Sequence, residues 1–340
     1  MMKKKLALAL ALMLGLTMIG CGGTAAAPAA APAAPAASEA APAAAPAASG
    51  EKVNLVLATG GTSGTYYAVG GVLQTVLGPK LELSNITVES TGASVANVNM
   101  ITDGEAQIAI LQSDVINYAH EGTNAFEGEV EDNALWVAGI YNETVQILAK
   151  PGINTVSDLK GKTVCVGDVG SGTEINAWQV LSAAGLTKDD VNAVNGSFQD
   201  GVDQLKDGKI DAAFTVAGAP TTAIVEYATT NELNLVSLSD KELADIQAAY
   251  PFLIQDNLPV GTYQGQDKEI TCVAIQATLV ASKDLSEDVV YEIVKGMFDN
   301  KADLTAGHAK FDFLTPESAS TNTVPMHPGA EKYYKEIGVK

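Results

Sequence analysis

Hydrophobic and polar positions alternate over residues 53–58, where Leu55 and Leu57 share one side, and this pattern predicts a short β-strand. A glycine-rich turn follows over residues 60–64. From residue 69 onwards, apolar side chains recur at three- and four-residue spacing, which predicts a helix that ends at Gly78. The glycine-rich turn therefore joins a strand end to a helix start, and in open α/β sheets ligands bind at that edge.

The same arrangement recurs later in the chain. Residues 162–166 predict a strand, residues 167–172 form a second glycine-rich turn, and a helical pattern follows. Ser-Gly-Thr stands at both turns, at residues 63–65 and 171–173. One such turn alone is typical of a tight turn with a Ser or Thr cap, but its repetition favours a shared binding role. Neither turn has the spacing of a Walker A motif or a dinucleotide fingerprint.

A second repeat indicates two similar lobes, because residues 98–109 and 202–213 each combine a helical pattern, an Asp-Gly stop and a strand. Residues 135–140 and 144–149 predict two strands around a polar segment, which we interpret as the first crossing between the lobes. A strand at residues 271–281 predicts the return crossing. The pattern predicts an α/β fold of two lobes joined by a hinge, with a ligand cleft between them.

The predicted organisation divides the chain into consecutive segments. They are a signal peptide (1–20), a lipidated Cys21 with an Ala/Pro-rich tether (21–50), the first part of lobe 1 (51–144), lobe 2 (145–268), and the returning part of lobe 1 with C-terminal helices (269–340). The first segment has three lysines before an apolar core, and Gly20-Cys21 after it resembles a bacterial lipoprotein processing site. Dense proline in the tether prevents a continuous helix.

Charge excludes several classes of function. All 20 basic residues are lysines, the chain carries 40 acidic residues, and its formal net charge is −20. Nucleic acid is therefore not an expected partner, because neutralising phosphates needs basic patches. Without arginine, a bidentate guanidinium clamp for a carboxylate is also excluded. If the protein binds an anion, helix starts and hydroxyl groups must supply most of the attraction.

The cysteine and histidine residues do not indicate a metal site or a catalytic site. Cys165 and Cys272 lie in apolar strand-like runs, which favours two buried free thiols over a disulfide. His120, His308 and His327 show no ligand spacing, so we expect no metal site, no cofactor and no catalytic residue.

Candidate ligand-binding residues share a position at strand ends or helix starts, where unpaired N–H groups suit an anion and glycine permits close backbone approach. They are Gly61, Thr62, Gly64, Tyr66, Tyr67, Gln112, Ser113, Ser171, Gly172, Thr173, Glu174, Gly218, Ala219 and Pro220. The sequence allows two interpretations of Glu174. Either its side chain completes a capping box with Ser171, or it contacts a cationic group of the ligand. Pro220 is expected in the first turn of a helix, and Ser94 is expected to cap another.

These segments carry a resemblance to the solute-binding proteins of the TAXI group of tripartite ATP-independent periplasmic (TRAP) transporters. The matching motifs stand in order at residues 58–67, 109–114, 141–146, 158–162, 170–173 and 218–220. The resemblance implies a type II periplasmic-binding-protein fold that closes around its ligand, and it adds Tyr141 and Glu143 to the candidate site. The other TRAP receptor group relies on an arginine, so an arginine-free chain agrees with TAXI.

The resemblance also implies partners and a location. We expect a small carboxylate ligand, either a glutamate-like amino acid or a 2-oxoglutarate-like dicarboxylate, and delivery to TRAP membrane permease subunits that are fused. We expect a monomer that is extracytoplasmic and anchored to the membrane by lipid on Cys21. An ABC-type receptor and an enzyme on the same fold are the alternatives; porphobilinogen deaminase, for example, leans on arginines that this chain lacks.

The lipid anchor gives a first testable prediction. We expect Cys21→Ala to release soluble protein or to leave the signal peptide uncleaved, because no thiol remains at the processing site. Membrane fractionation and the mass of the mature amino terminus measure this. Unchanged membrane association of Cys21→Ala together with a normally cleaved amino terminus would contradict the anchor.

Overall fold

The computed structural model describes residues 51–339, so the predicted signal peptide, Cys21 and tether lie outside the described residues. Within this range one mixed sheet runs through the molecule. Its strands are β1 (Val53–Ala58), β2 (Ser84–Glu89), β3 (Ile108–Gln112), β4 (Ala134–Ala149), β5 (Thr163–Cys165), β6 (Asn192–Val194), β7 (Ala212–Ala217), β8 (Ile254–Leu258) and β9 (Ile270–Ser282).

Helices cover both faces of this sheet. They are α1 (Thr65–Leu77), α2 (Ser94–Thr102), α3 (Ser113–Glu121), α4 (Gly172–Ala183), α5 (Phe198–Lys206), α6 (Thr222–Thr230), α7 (Asp240–Ala249), α8 (Glu287–Asp299), α9 (Lys301–Gly307), α10 (Pro316–Ser320) and α11 (Pro328–Glu336). Short 3₁₀ turns join some of them, among them Ala309–Phe313. No helix within residues 51–339 has the length and apolar character needed to cross a membrane.

The strand order β2-β1-β3-β9-β4-β7-β5-β6 confirms the predicted fold class. Three parallel strands, β2-β1-β3, stand on one side of the central antiparallel pair β9-β4, and three more, β7-β5-β6, stand on the other. Each parallel group with its helices forms one lobe, and β4 and β9 run through both. The result is a two-lobed α/β architecture of the type II periplasmic-binding-protein kind.

Alternation along the strands sends side chains into separate cores on the two faces of the sheet. In lobe 1, one core packs beneath α1, α8 and α11, and the other packs beneath α2 and α3. In lobe 2, one core packs beneath α4 and α7, and the other packs beneath α5 and α6. Cys165 and Cys272 share the last of these cores as buried free thiols.

The first crossing differs from its prediction. Residues 135–140 and 144–149 belong to one continuous strand, β4, and the polar segment between them is paired with β9 as Asn142↔Gln276 and Glu143↔Ile275. The two-strand prediction was wrong because polar side chains in mid-strand resembled a turn. Irregularities in the β4–β9 register fall between Trp136 and Ala138 and between Gly139 and Tyr141, and Gly139 makes room for the Gln276 side chain.

Two local predictions were also wrong. The residue that caps α2 is Ala93, whose φ of 68° lies in the left-handed region and whose N–H donates to Thr91 Oγ1. Ser94 instead accepts a hydrogen bond from the Gln112 backbone N–H at 3.2 Å. Pro220 lies before Thr221, the residue that caps α6, and is therefore outside the helix.

Candidate ligand-binding cleft

A cavity lies where the two lobes face each other. The free volume of this cavity is about 40 Å³, so the lobes leave little space between them in this structure. Lobe 1 and the crossing strand contribute Gly60, Gly61, Ser63, Gly64, Thr65, Tyr66, Ala93, Ser94, Gln112 and Glu143. Lobe 2 contributes Asp168, Ser171, Gly172, Thr173, Ser197, Phe198, Val216 and Ala217. The starts of α1, α4 and α5 therefore meet at one point.

The start of α1 is open to a ligand. Its N-cap is Gly64, so no side chain caps the first turn and no acidic residue lies in it. The unpaired N–H groups and the positive end of the helix dipole favour an anion there. A Cβ at this position would lie 3.2 Å from the Gly61 carbonyl oxygen and 3.3 Å from the Phe198 ring of lobe 2, so a larger residue would crowd both neighbours.

The start of α4 is capped by its own residues. Ser171 Oγ accepts from the Glu174 backbone N–H at 3.1 Å, and Glu174 Oε2 accepts from the Gly170 N–H at 3.0 Å. Glu174 Oε1 accepts from Asn195 Nδ2 at 3.1 Å. Because Glu174 folds back onto the backbone and lies outside the cavity, the structure favours the capping interpretation over a ligand contact.

Thr173 offers a free hydroxyl beside that helix start. Its side chain is buried and lines the cavity, yet its Oγ1 makes no hydrogen bond to any residue in the described range. Because it lies in the wall of the cavity, this hydroxyl is available to a ligand.

Glu143 is the buried acid of the cleft. It is 1% exposed, and the Tyr66 hydroxyl is hydrogen-bonded to its Oε1 at 2.5 Å. Burial raises the pKa of Glu143 to about 8, while hydrogen bonds with Tyr66 and Gln112 pull that pKa in the opposite direction. At neutral pH the side chain is therefore mainly a neutral carboxylic acid.

Gln112 and Gly172 bring the lobes together. Gln112, at the end of β3, is 2% exposed, and its Oε1 has no hydrogen-bond partner among the described residues. A Cβ on Gly172, the first residue of α4, would lie only 1.9 Å from that oxygen. The missing side chain of Gly172 thus lets the Gln112 amide reach across the cleft.

Hydrogen bonds between the lobes surround the cavity. Thr65 Oγ1 donates to the Gly218 carbonyl at 2.9 Å, and the Val95 N–H donates to the Gly170 carbonyl at 3.1 Å. Asn176 Nδ2 donates to the fully buried Asp114 carboxylate at 3.0 Å. Burial raises the pKa of Asp114 to about 6. These hydrogen bonds join the two lobes around the cavity in this structure.

The structure brings together part of the predicted site. Residues that line the cavity are Gly61, Gly64, Tyr66, Gln112, Glu143, Ser171, Gly172 and Thr173; that they contact a ligand remains a prediction.

The other predicted residues do not line the cavity: Thr62, Tyr67, Ser113, Tyr141, Glu174, Gly218, Ala219 and Pro220. Thr62 and Tyr67 are exposed. Tyr67 follows Tyr66 directly on α1, so its side chain points to a different face of the helix. Ser113, Tyr141 and Gly218 are buried around the cleft, whereas Ala219 lines a separate outer groove beside Lys310.

Sequence reasoning missed the contribution of α5. Ser197 and Phe198 line the cavity, and Ser197 forms a capping box with Asp200 at the start of that helix. The Ser-x-x-Asp spacing was the signal that could have indicated a further helix start at the cleft. Asp168 was also missed, although it stands within the second glycine-rich turn.

The family model described as the NMT1-like family matches residues 57–338 of this chain. The chain belongs to the NMT1-like family.

Solved structures similar to this chain include the periplasmic aliphatic sulphonate binding protein SsuA from Escherichia coli, at 14% identity, covering 84% of each chain, with a TM-score of 0.43. The alkanesulfonate-binding protein SsuA from Xanthomonas axonopodis pv. citri bound to MOPS has 14% identity, 84% coverage of each chain and a TM-score of 0.46. The GluR0 ligand binding core complex with L-glutamate has 11% identity, covers 78% of this chain and 98% of that chain, and has a TM-score of 0.46.

The contact between Gly172 and Gln112 gives a prediction about stability. We expect Gly172→Ala to lower the free energy of unfolding by about 1–3 kcal/mol, because the new methyl group overpacks a buried contact between the lobes. Gly61→Ala is the matched control, since it also lines the cavity but a Cβ there meets no atom within 4 Å. Denaturant unfolding measures both, and equal losses of stability in the two variants would contradict the account.

Proposed function

We propose that this chain is an extracytoplasmic solute-binding protein that captures a small carboxylate in the cleft between its lobes and delivers it to a membrane permease. One observation carries the proposal: helix starts from both lobes line one cavity, and the start of α1 has no side-chain cap. A ligand between the lobes makes contacts with both only in the closed state, so its binding favours closure.

The carboxylate would lie at the starts of α1 and α4, against backbone N–H groups and the hydroxyls of Ser63, Ser171 and Thr173. Each hydrogen bond to a charged group contributes about 1.5–3 kcal/mol, so two or three support micromolar binding after ordering costs are subtracted. No lysine lines the cavity within the described residues, so this local attraction replaces the missing arginine clamp.

We propose binding without catalysis. The residues that line the cavity in the described part of the chain include several hydroxyls but neither histidine nor cysteine. Ser171 Oγ accepts a hydrogen bond from the Glu174 backbone N–H, and among the described residues it donates to no carboxylate or imidazole that would activate it as a nucleophile.

The proposed transporter is of the TRAP type, with TAXI-like recognition and fused permease subunits, and the proposed attachment is a lipid on Cys21. The ordered motifs from residue 58 to residue 220 support TRAP over an ABC-type importer. Gene neighbourhood separates the two: a fused TRAP permease gene beside the receptor gene supports the proposal, and genes for an ATPase and its permease would overturn it.

A thermal-shift screen of amino acids, dicarboxylates and tricarboxylates tests the solute class. A true solute at about 100 times its dissociation constant adds roughly 2.7 kcal/mol of stability. Absence of a shift with every compound of these classes would contradict the carboxylate proposal.

Calorimetry with the solute that emerges then tests the position of its carboxylate. We expect Thr173→Ala to weaken binding about tenfold or more, since one lost hydrogen bond to a charged group is worth at least one decade. Thr62→Ala is the matched control, because Thr62 is exposed and lies outside the cavity. Wild-type affinity in Thr173→Ala would mean that the carboxylate binds elsewhere.

A further inference from the structure

The three helix starts that line the cavity differ in how they are capped. The start of α4 is capped by Ser171 and has Glu174 in its first turn. The start of α5 is capped by Ser197 and has Asp200 in its first turn. The start of α1, at Gly64, has neither a side-chain cap nor an acid in its first turn. Because caps and first-turn acids satisfy N–H groups and offset the helix dipole, the start of α1 is the one of these three that is left for an anion.

The charged side chains in the wall of the cavity are acidic. Among the described residues that line it there are two carboxyl groups, those of Glu143 and Asp168, and neither lysine nor histidine. Asp168 is half-buried, and its carboxyl group has no hydrogen bond or ion pair with another residue in the range 51–339. Burial and the nearby Asp200 raise the pKa of Asp168, so further negative charge is unfavourable there. A second solute carboxylate would be buried without a cation beside it.

The hydroxyl groups that remain available lie at the starts of α1 and α4. Ser63 and Thr173 line the cavity, and their side chains make no hydrogen bond to the residues that the structure describes. Ser171 Oγ accepts a hydrogen bond, and its own hydrogen is available. In contrast, Thr65 Oγ1 already donates to a lobe 2 carbonyl at 2.9 Å, and Ser197 Oγ donates to the first-turn acid of α5 at 2.7 Å. The free donors are therefore grouped where the one carboxylate is proposed to bind.

The polar groups at the other end of the cavity are engaged with one another. The Tyr66 hydroxyl is hydrogen-bonded to Glu143 Oε1 at 2.5 Å, and Gln112 forms a second hydrogen bond with Glu143. Ser94 is in turn hydrogen-bonded to the Tyr66 hydroxyl. A second carboxylate at this end would compete with these contacts, whereas an apolar group leaves them in place.

Apolar groups from both lobes form the rest of the wall. They belong to Tyr66, Ala93, Phe198, Val216 and Ala217. The Phe198 ring borders the start of α1, since it lies 3.3 Å from the position that a Cβ on Gly64 would take. A carbon chain attached to a carboxylate at α1 can therefore bury its surface against these side chains, which is favourable.

We propose that the solute carries a single carboxylate on an apolar chain, and that Asp168 is a specificity-determining residue that disfavours a second carboxylate. The inference rests on the proposed function and deepens it, because it selects among small carboxylates against dicarboxylates such as 2-oxoglutarate and L-glutamate. Specificity of this kind combines favourable contacts for one solute with unfavourable ones for its competitor.

Two matched pairs of probes test the solute class by calorimetry at pH 7. They are L-norvaline with L-glutamate, and 2-oxopentanoate with 2-oxoglutarate. Within each pair the carbon chains are equally long, and the last carbon is a methyl group in one member and a carboxylate in the other. We expect the methyl-ended member to bind about tenfold tighter or more, because its partner must bury an unpaired charge. The comparison within a pair isolates the second carboxylate, whichever head group the protein accepts.

The outcomes separate this inference from the proposed function. A carboxylate-ended probe that binds as tightly as its methyl-ended partner overturns the inference and leaves solute capture intact. If none of the four probes binds, the solute found by the thermal-shift screen decides: one carboxylate supports the inference, and two or more overturn it. A screen in which no carboxylate binds contradicts the proposed function, and the inference fails with it.

Asp168→Asn tests the selecting residue in the same assay. We expect the affinity for the carboxylate-ended probes to rise about threefold or more, with little change for the methyl-ended probes, because an acidic neighbour of the second carboxylate is removed. Asp189→Asn is the matched control, since Asp189 is an exposed aspartate of lobe 2 outside the cavity. The same preference in Asp168→Asn as in the wild-type protein would overturn the role of Asp168.

Discussion

The antiparallel pairing of β4 with β9 is the interaction that both lobes share. The ladder runs from Ala134↔Ser282 to Thr144↔Ala274, and each lobe adds its own parallel strands to one side of it. Because the pairing includes Glu143↔Ile275, the backbone of Glu143 is held in the sheet while its side chain reaches the cavity. The position of the buried acid is therefore fixed by the same strands that hold the lobes together.

Under the proposed function, this constraint bears on how a strongly acidic protein without arginine would hold an anion. At physiological salt, exposed charges more than about 8 Å away are largely screened, so the net charge of −20 matters less than the groups lining the cleft. Those groups are helix starts, hydroxyls, the Asp168 carboxyl group and Glu143, a carboxylic acid that burial keeps mainly neutral. Neutralising the acid by burial removes a repulsion that would otherwise oppose a carboxylate nearby.

Local sequence patterns predicted the elements that build the cleft but not the exact residues that face it. The sequence predicted the glycine-rich turns at residues 60–64 and 167–172, each of which overlaps a Ser-Gly-Thr sequence. Turns can be predicted in this way because their conformation depends on residues that are neighbours in sequence. Glu174 is a partial success of this kind. Its capping hydrogen bonds are local contacts, and the sequence pattern predicted capping as one of two interpretations of this residue. The raised pKa of Glu143 depends on burial and on Tyr66, 77 positions away, which no local pattern contains. Likewise, Tyr66 faces the cavity and Tyr67 does not, because the placement of α1 against the other lobe decides which face is covered.

A crystal structure of the protein with the solute found by thermal screening tests the central claim most directly, because it shows where the solute lies. The account predicts a solute enclosed between the lobes, with its carboxylate at the first turns of α1 and α4 and its other end beside Gln112 and Glu143. A solute bound in the outer groove beside Lys310, with the cleft between the lobes unoccupied, would contradict it.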